Sequence, residues 1–287
     1  VEFVLDKEGR PIKIQKKIHG DTNKLIEEFM ILANNEVAHY ITRTDKKVKR
    51  IFVYRVHDVP DQDKIMELVK LMRILGYTVP GNIKIYNAKD INSLLKKVIG
   101  DEHEEMVNMV ALQAMAKAVY STKNIGHFGL SLKYYTHFTS PIRRYPDIMV
   151  HRLLYRYLSG EKIPEDELGG YEVLTRYASE REKVATEAER ESIKYKQTEY
   201  MASHIGQIFN GMITGITEKG IFVEDKETKT HGMIPVRKLT DDFYVFDEKK
   251  YSLTGRKTKK RYMLGDTVKI KVVNVDVEKR FVDYKFV

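Results

Sequence analysis

Residues 137–152, HFTSPIRRYPDIMVHR, concentrate groups that recognise negative charge: Arg143, Arg144 and Arg152, with His137 and His151 among them and Pro141 and Pro146 between. Guanidinium forks match phosphate oxygens in pairs. Ser140 and Pro141 read as an N-cap and a first helical residue. A helix N-terminus already carries partial positive charge and disfavours cations by about 0.3 kcal/mol or more. Two arginines there point to an anion in front of them. Pro146 offers a second geometry, because within a helix it removes the bond to the Ile142 carbonyl. In that case the chain turns at 141–144 and the helix starts at Pro146. Either way, backbone N–H groups and guanidinium forks gather at one place and make a phosphate site.

The elements that position this segment follow from periodicity and punctuation. Residues 1–17 read as a strand, a Gly-Pro turn and a second strand, a hairpin that begins at Val1 without a methionine and suggests upstream polypeptide. Leu25, Phe29, Leu32, Ala33 and Val37 keep helical spacing behind an Asp21 or Thr22 cap. A short strand ends at Pro60, and helices are predicted over 61–75, 87–98 and 101–120, stopped or split by Gly76 and Gly100. Residues 125–140 form a Gly- and aromatic-rich loop, followed by a helix to about Ser159. A long charged helix starts at Pro164, Leu168 or, past the Gly169–Gly170 pair, Tyr171, and runs to Ser203.

The character changes near His204, where short Gly-punctuated strands predict a small closed barrel of about five strands. The 287 residues hold 50 Lys and Arg against 41 Asp and Glu, a net charge of +9 that suits a polyanionic partner. Residues 204–287 carry 17 of those cations and 12 of the acids, so the barrel is the more basic part per residue. No apolar run nears the ~18 residues of a membrane span. The chain has no cysteine, which excludes disulfides and thiolate metal sites and fits a reducing cytoplasm.

The segment with GMITGITEKGIFVE, HGMIPVRKL and YMLGDTVKIKVVNVDVEKRFVDYKF resembles the S1 RNA-binding domain, an OB-type barrel. A face bearing Phe222, Tyr244, Lys269 and Lys271 offers base stacking beside phosphate-seeking ammonium groups. Lys219 and Pro235 stand where that family often has an aromatic residue and a histidine, which leaves a more electrostatic binder. GHFGLSLKYYTHFTSPIRRYPDIMVHRLL, with LIEEFMILANNEVA, YRVHDVP and MAKAVYSTKNIGHFGL in the same order, resembles the RNB exoribonucleases, the ribonuclease R and ribonuclease II family. The DDFYVFDEKKYSLTGRKTKK stretch is more similar to ribonuclease R. The expected fold is α+β: the mainly helical C-terminal half of an RNB domain over residues 1–203, then an S1 barrel over 204–287.

That resemblance implies processive 3′-to-5′ hydrolysis of single-stranded RNA, and of structured RNA for ribonuclease R members, to nucleoside 5′-monophosphates with magnesium. It implies that Arg143 steadies the scissile phosphate, that Arg144 positions structure or substrate, that Glu27 (with Glu28 as the alternative) meets the last ribose, and that Glu189 lies near the site. His127, Tyr135, Ser140 and His151 are expected to contact RNA, with His137, Arg55 and His57 as weaker candidates, and core packing is the alternative for His127, Tyr135, His137 and His151. The family's aspartate cluster for metal is not found. Asp58, Asp61 and Asp63, and the acidic run 101–105, read instead as helix-start residues, so no metal ligand is assigned here. The expectation is a chain inactive alone, completed by an N-terminal part of the same enzyme, monomeric when whole and free of membranes. A non-catalytic RNA-binding protein and a structural subunit of an RNA-decay assembly are the competing readings.

Overall fold

The computed structural model describes residues 1–43, 50–79, 88–101, 103–247 and 252–287. Its contacts divide the chain into two units, His19–Thr186 and Val1–Ile18 with Glu187–Val287. The division falls within a long helix, upstream of the 203/204 boundary expected from composition.

In the second of these units, β1 (Glu2–Leu5) and β2 (Pro11–Gln15) pair antiparallel. Their turn is set by Asp6, whose carboxylate accepts the Glu8 and Arg10 N–H groups, and by Gly9 at φ +78°. In the helical unit, α1 (Asp21–Arg43) buries Asn34, Ala38 and Ile41. The Leu25, Phe29 and Leu32 stripe that marks it as a helix in sequence is more than half exposed, at 55%, 61% and 55%. β3 (Tyr54–Val56) follows. α2 (Gln62–Ile74) is capped by Asp61, whose side chain accepts the Asp63 and Lys64 N–H groups. It closes at Gly76 with the Tyr77 N–H on the Met72 carbonyl. α3 (Ala88–Leu95) passes into a 3-10 turn at Lys96–Val98; Asn87, the helix start expected from sequence, lies outside the described residues.

The helix expected over 101–120 is corrected. α4 (Glu104–Ala114) stops at Met115, and the chain extends into β4 (Val119–Ser121), which pairs antiparallel with β3. The pairing satisfies backbone groups of β3 that helix continuation would have left unpaired. α5 (Tyr145–Leu158) has Pro146 in its first turn, so of the two geometries open from sequence the chain adopts the turn at 141–144. α6 (Leu168–Ala202) runs unbroken through Gly169 and Gly170, so of the three starts open from sequence the chain adopts Leu168. Gly costs a helix about 1 kcal/mol relative to Ala. Upstream, Arg156 grips both Glu161 and Glu167 and fixes the approach to α6.

Two apolar clusters hold this unit together. Ile65, Leu68, Val69, Met72, Leu94 and Val107 join α2, α3 and α4. Phe52, Val53, Tyr54, Met149, Val150 and Leu153 seat α5 on the strand pair.

In the strand unit, β5 (Ile208–Ile216), β6 (Gly220–Asp225), β7 (His231–Pro235), β11 (Thr267–Asp276) and β12 (Phe281–Phe286) close a barrel in the order β11-β12-β7-β6-β5. Ile213, Ile221, Val223, Ile270, Val282 and Tyr284 fill it. Unforeseen in the sequence, β8 (Tyr244–Asp247), β9 (Ser252–Gly255) and β10 (Arg261–Met263) form a separate three-stranded sheet. Gln197 near the end of α6 donates to the Thr228 and Lys229 carbonyls of the β6–β7 turn. Among the described residues, no helix is long and apolar enough to cross a membrane.

Asp61→Ala is expected to destabilise the chain by about 1 kcal/mol through loss of the cap, and Asp63→Ala by less than about 0.5 kcal/mol. Urea titrations of the two variants check the capping assignment; equal losses would refute it.

Candidate active site

The signature segment is organised by a carboxylate that its sequence hides. Asp147, in the first turn of α5, is fully buried. It accepts the Ser140 N–H at 2.7 Å and Nη2 of Arg144 at 2.8 Å. The Ser140 carbonyl in turn accepts the N–H groups of Arg143 and Arg144. The 140–144 turn is thus closed on both sides. One oxygen of Asp147, Oδ2, and Nε of Arg144 are buried without hydrogen-bond partners. Arg144 is therefore neutralised and held. Arg143 is exposed and has no side-chain hydrogen bond or ion pair with a described residue. Of the two adjacent guanidinium groups, one builds the turn and the other is available to a ligand.

Asn34 of α1 joins the helix to this segment. It is 3% exposed. Its Oδ1 accepts the N–H groups of Phe138 and Thr139, and its Nδ2 donates to the Tyr135 hydroxyl. Glu27 precedes Asn34 by two helical turns and so shares its face, whereas Glu28 is rotated by about 100°. The geometry favours Glu27 over its neighbour as the acid presented near the signature. Glu27 and Glu28 are both exposed. Glu189 is exposed on α6 and falls in the strand unit, not the helical one.

A ladder of rings lies beneath. His57 and His127 are 5.0 Å apart, His127 and Tyr135 5.2 Å, Tyr135 and His137 5.8 Å, and Tyr120 and His137 5.5 Å, all edge-on. The Tyr120 hydroxyl meets Nδ1 of His137 at 2.9 Å. Arg55 stacks on the Tyr120 ring, with its centroid 4.6 Å away, and pairs with Glu182 at 2.6 Å. His57 places one ring nitrogen on the Ala116 carbonyl and the other under the Gly129 N–H. His127 accepts the Leu130 N–H.

Burial, followed by the charges of His57 and Arg55, pushes His127 down to about 4. Burial, followed by Arg144, Arg55, His127 and Arg143, pushes His137 down to about 3. Both rings are uncharged at neutral pH, so they serve a phosphate as hydrogen-bonding or apolar surface and not as cations. Tyr135 is 6% exposed with its hydroxyl bound to Asn34, so in this structure it serves as scaffold. His151 is stacked on Phe138 at 4.1 Å and donates to the Phe138 carbonyl, which makes it a brace. His127 does face open space: with His57, Asp58, Asn124, Lys133 and Tyr134 it lines a cleft of about 710 Å³.

On the barrel, Phe222 is outward and 41% exposed. Tyr244 is 7% exposed, packs on Tyr262, and donates its hydroxyl to Asp241. The adjacent Phe243, which precedes β8, stands outside instead, at 65%. Lys269 and Lys271 sit two apart on β11, and Lys271 faces Lys285 of β12 directly. Like charges in register repel, and an anion relieves that repulsion. The structure does not bring these lysines to Phe222. Lys269 pairs with Asn210 at one end of β5, and Phe222 pairs with Gly215 farther along the same strand, about 17 Å away at ~3.3 Å per residue.

Among the described residues, no group of three or more His, Cys, Asp or Glu side chains could hold a metal ion. Asp61 is occupied as the α2 cap, and Asp58 accepts the Val59 N–H. Of the acidic run 101–105, Glu102 and the Glu105 side chain lie outside the described residues. The side chains described here do not fit magnesium.

Two stability measurements test this geometry. Asp147→Ala strands Arg144 and is expected to cost about 3 kcal/mol, whereas Arg143→Ala costs less than about 0.5 kcal/mol; comparable losses in urea unfolding would contradict the division of labour between the arginines. An unfolded histidine titrates near 6.5, while folded His127 and His137 take protons only near pH 4 and 3. Between those values the unfolded chain holds more protons, so stability is full above about pH 6.5 and falls as the pH drops. The double variant Tyr120→Phe with His137→Phe should flatten that fall; an unchanged pH profile would refute the assignment.

Comparison with known proteins agrees with this architecture. Residues 1–160, more than half of the chain, match the RNB domain model, and residues 203–284 match the S1 RNA binding domain model. Ribonuclease R of Aquifex aeolicus is 40% identical over 287 residues, covering 100% of this chain and 40% of the relative. The apo form of Mycoplasma genitalium RNase R superposes with a TM-score of 0.90 at 32% identity, covering 100% of this chain and 45% of that one. The same protein in complex with ribose methylated single-stranded RNA gives a TM-score of 0.89 at 32% identity and the same coverage. The chain thus spans less than half the length of the proteins it matches. With an RNB match over most of the helical unit and an S1 match over the barrel, the chain belongs to the RNB family.

Proposed function

We propose that this chain is the RNA-gripping part of a ribonuclease R-type 3′-to-5′ exoribonuclease, acting on single-stranded and structured RNA. The observation that carries the reading is the asymmetry of the arginine pair. Arg144 is neutralised by buried Asp147, and exposed Arg143 keeps its charge for an incoming phosphate. In the reaction, a water oxygen adds to phosphorus and the bond to the 3′ oxygen of the preceding nucleotide breaks. That oxygen takes a proton and becomes the new 3′ hydroxyl, and a nucleoside 5′-monophosphate leaves. Charge grows on the phosphoryl oxygens as the water adds. A preorganised guanidinium in a fixed turn stabilises that charge without reorganisation.

Glu27 is assigned to the 2′ hydroxyl of the last ribose, a donor that DNA lacks. Glu189 is assigned near the active site through the family resemblance. His127 is assigned to the RNA leading into the cleft. The S1 barrel is assigned to upstream nucleotides through Phe222 and the Lys269, Lys271 and Lys285 row. Magnesium belongs to this reading through the family resemblance, and its ligands are assigned to polypeptide beyond these 287 residues, in keeping with the greater length of the relatives. The completed protein is assigned as a cytoplasmic monomer. The second reading is a non-catalytic RNA-binding protein or subunit of an RNA-decay assembly.

The 287-residue chain is expected to bind single-stranded RNA and release no nucleotide, and a polypeptide of the relatives' full length is expected to release 5′-monophosphates. In that longer protein, Arg143→Ala should lower single-turnover cleavage by about 100-fold or more with RNA affinity nearly unchanged. A full-length protein that binds RNA and never cleaves it would favour the second reading. Unchanged turnover in the variant would remove Arg143 from its role.

A further inference from the structure

Residues 255–261, GRKTKKR, place Arg256, Lys257, Lys259, Lys260 and Arg261 in the turn from β9 to β10, and all five are exposed. Five neighbouring cations repel one another, so a loose turn would splay apart. This turn is instead built. The Asp242 carboxylate accepts the N–H groups of Phe243, Lys257 and Thr258 and the Thr258 hydroxyl. Burial raises its proton affinity, but these bonds outweigh that effect and hold it down at about 2. Gly255 permits the approach: a Cβ there would lie 2.5 Å from Asp242 Oδ2 and 2.6 Å from Thr258 Oγ1. The Gly255 N–H closes the turn on the Lys260 carbonyl, and the Arg256 N–H bonds the Phe243 carbonyl.

Among the described residues, the acids nearby do not cancel the cations. Asp242 directs its oxygens at backbone N–H groups and a hydroxyl. Asp241 lies 3.7 Å from Lys260, with both side chains about half exposed. Among the described residues, Arg256, Lys257 and Lys259 have no acidic partner. Phe243 stands 65% exposed beside them, with the Arg256 guanidinium 4.5 Å from its ring centroid. A fixed row of cations next to an exposed aromatic–guanidinium plate is the chemistry of an unpaired polynucleotide: phosphates for the ammonium groups, and a base face for the plate. An acidic protein segment would use the charges and leave the ring without a function.

We propose that the 255–261 turn and Phe243 form a contact surface for single-stranded RNA in addition to the lysine row on β11 and β12, next to which Tyr262 stacks on Phe286 at 4.4 Å. This inference rests on the RNA-binding reading above. It gives the three-stranded sheet, which the barrel does not need for closure, a function of its own.

The test uses the 287-residue chain and a fluorescent 20-nucleotide oligoadenylate, with binding followed by anisotropy at several salt concentrations. Polyglutamate is the competitor control. Lys257→Ala with Lys259→Ala should weaken binding and reduce the slope of log affinity against log salt by about 1.4, two phosphate contacts at ~0.7 each. Phe243→Ala should weaken binding about 5-fold to 100-fold with the slope unchanged. Asp242 and Gly255, which hold the turn, stay intact in both variants.

Both variants binding like the parent, while the parent binds with steep salt dependence, would overturn the surface and leave the RNA-binding reading standing. A parent chain that does not bind oligoadenylate would overturn both. Loss of oligoadenylate binding in the lysine variant alone, with polyglutamate competing equally well, would show a general polyanion surface and also overturn the inference.

Discussion

One buried carboxylate organises the signature of this chain. Asp147 sits inside the protein with the Ser140 N–H and the Arg144 guanidinium as its partners. An isolated charge in that position would be too costly to keep, so the 140–144 turn has to close around it. The closure fixes where Arg143 leaves the backbone. It also explains the cation-rich helix entrance: one cation is neutralised from below, and the other faces solvent and whatever anion arrives. Asn34 extends the same constraint into α1 by holding Phe138 and Thr139, and the ring ladder from His57 to Tyr120 supports the segment from behind.

The uncharged histidines complete that electrostatic picture. A cluster with Arg55, Arg143 and Arg144 already near it gains nothing from further cations, and burial keeps His127 and His137 neutral. In the proposed reading, specificity for a phosphate resides in one preorganised guanidinium, while the rings supply shape. The barrel uses a different device. Lys271 and Lys285 stand in register across β11 and β12, and in the proposed reading a polyanion relieves their repulsion.

Much of this was legible from residue order. Asp61 and Gly76 bracket α2 because caps are local chemistry, and strand alternation with Gly punctuation announces a barrel. The helix start near Pro146 was legible only as two alternatives, since the choice depends on Asp147 being buried, a tertiary fact. The chain from Met115 to Tyr120 keeps a helical pattern and still becomes extended, because β3 needs a partner. Tyr244 opens β8 and Phe243 immediately precedes it, and neither residue type reveals which of them is inside. Asn34 and Asp147 look like ordinary polar residues on helices, and their importance lies entirely in contacts about a hundred residues away for the first and across a tight turn for the second. The seven-residue spacing from Glu27 to Asn34 was the available signal that those two share a face.

The most direct test is a crystal structure of the full-length protein with a non-hydrolysable RNA at its 3′ end. The account predicts a guanidinium nitrogen of Arg143 within about 3 Å of an oxygen on the terminal phosphodiester, with Asp147 still bound to Ser140 and Arg144. A phosphate held by Arg144 after its separation from Asp147, or Arg143 paired with a carboxylate and remote from the RNA, would contradict it.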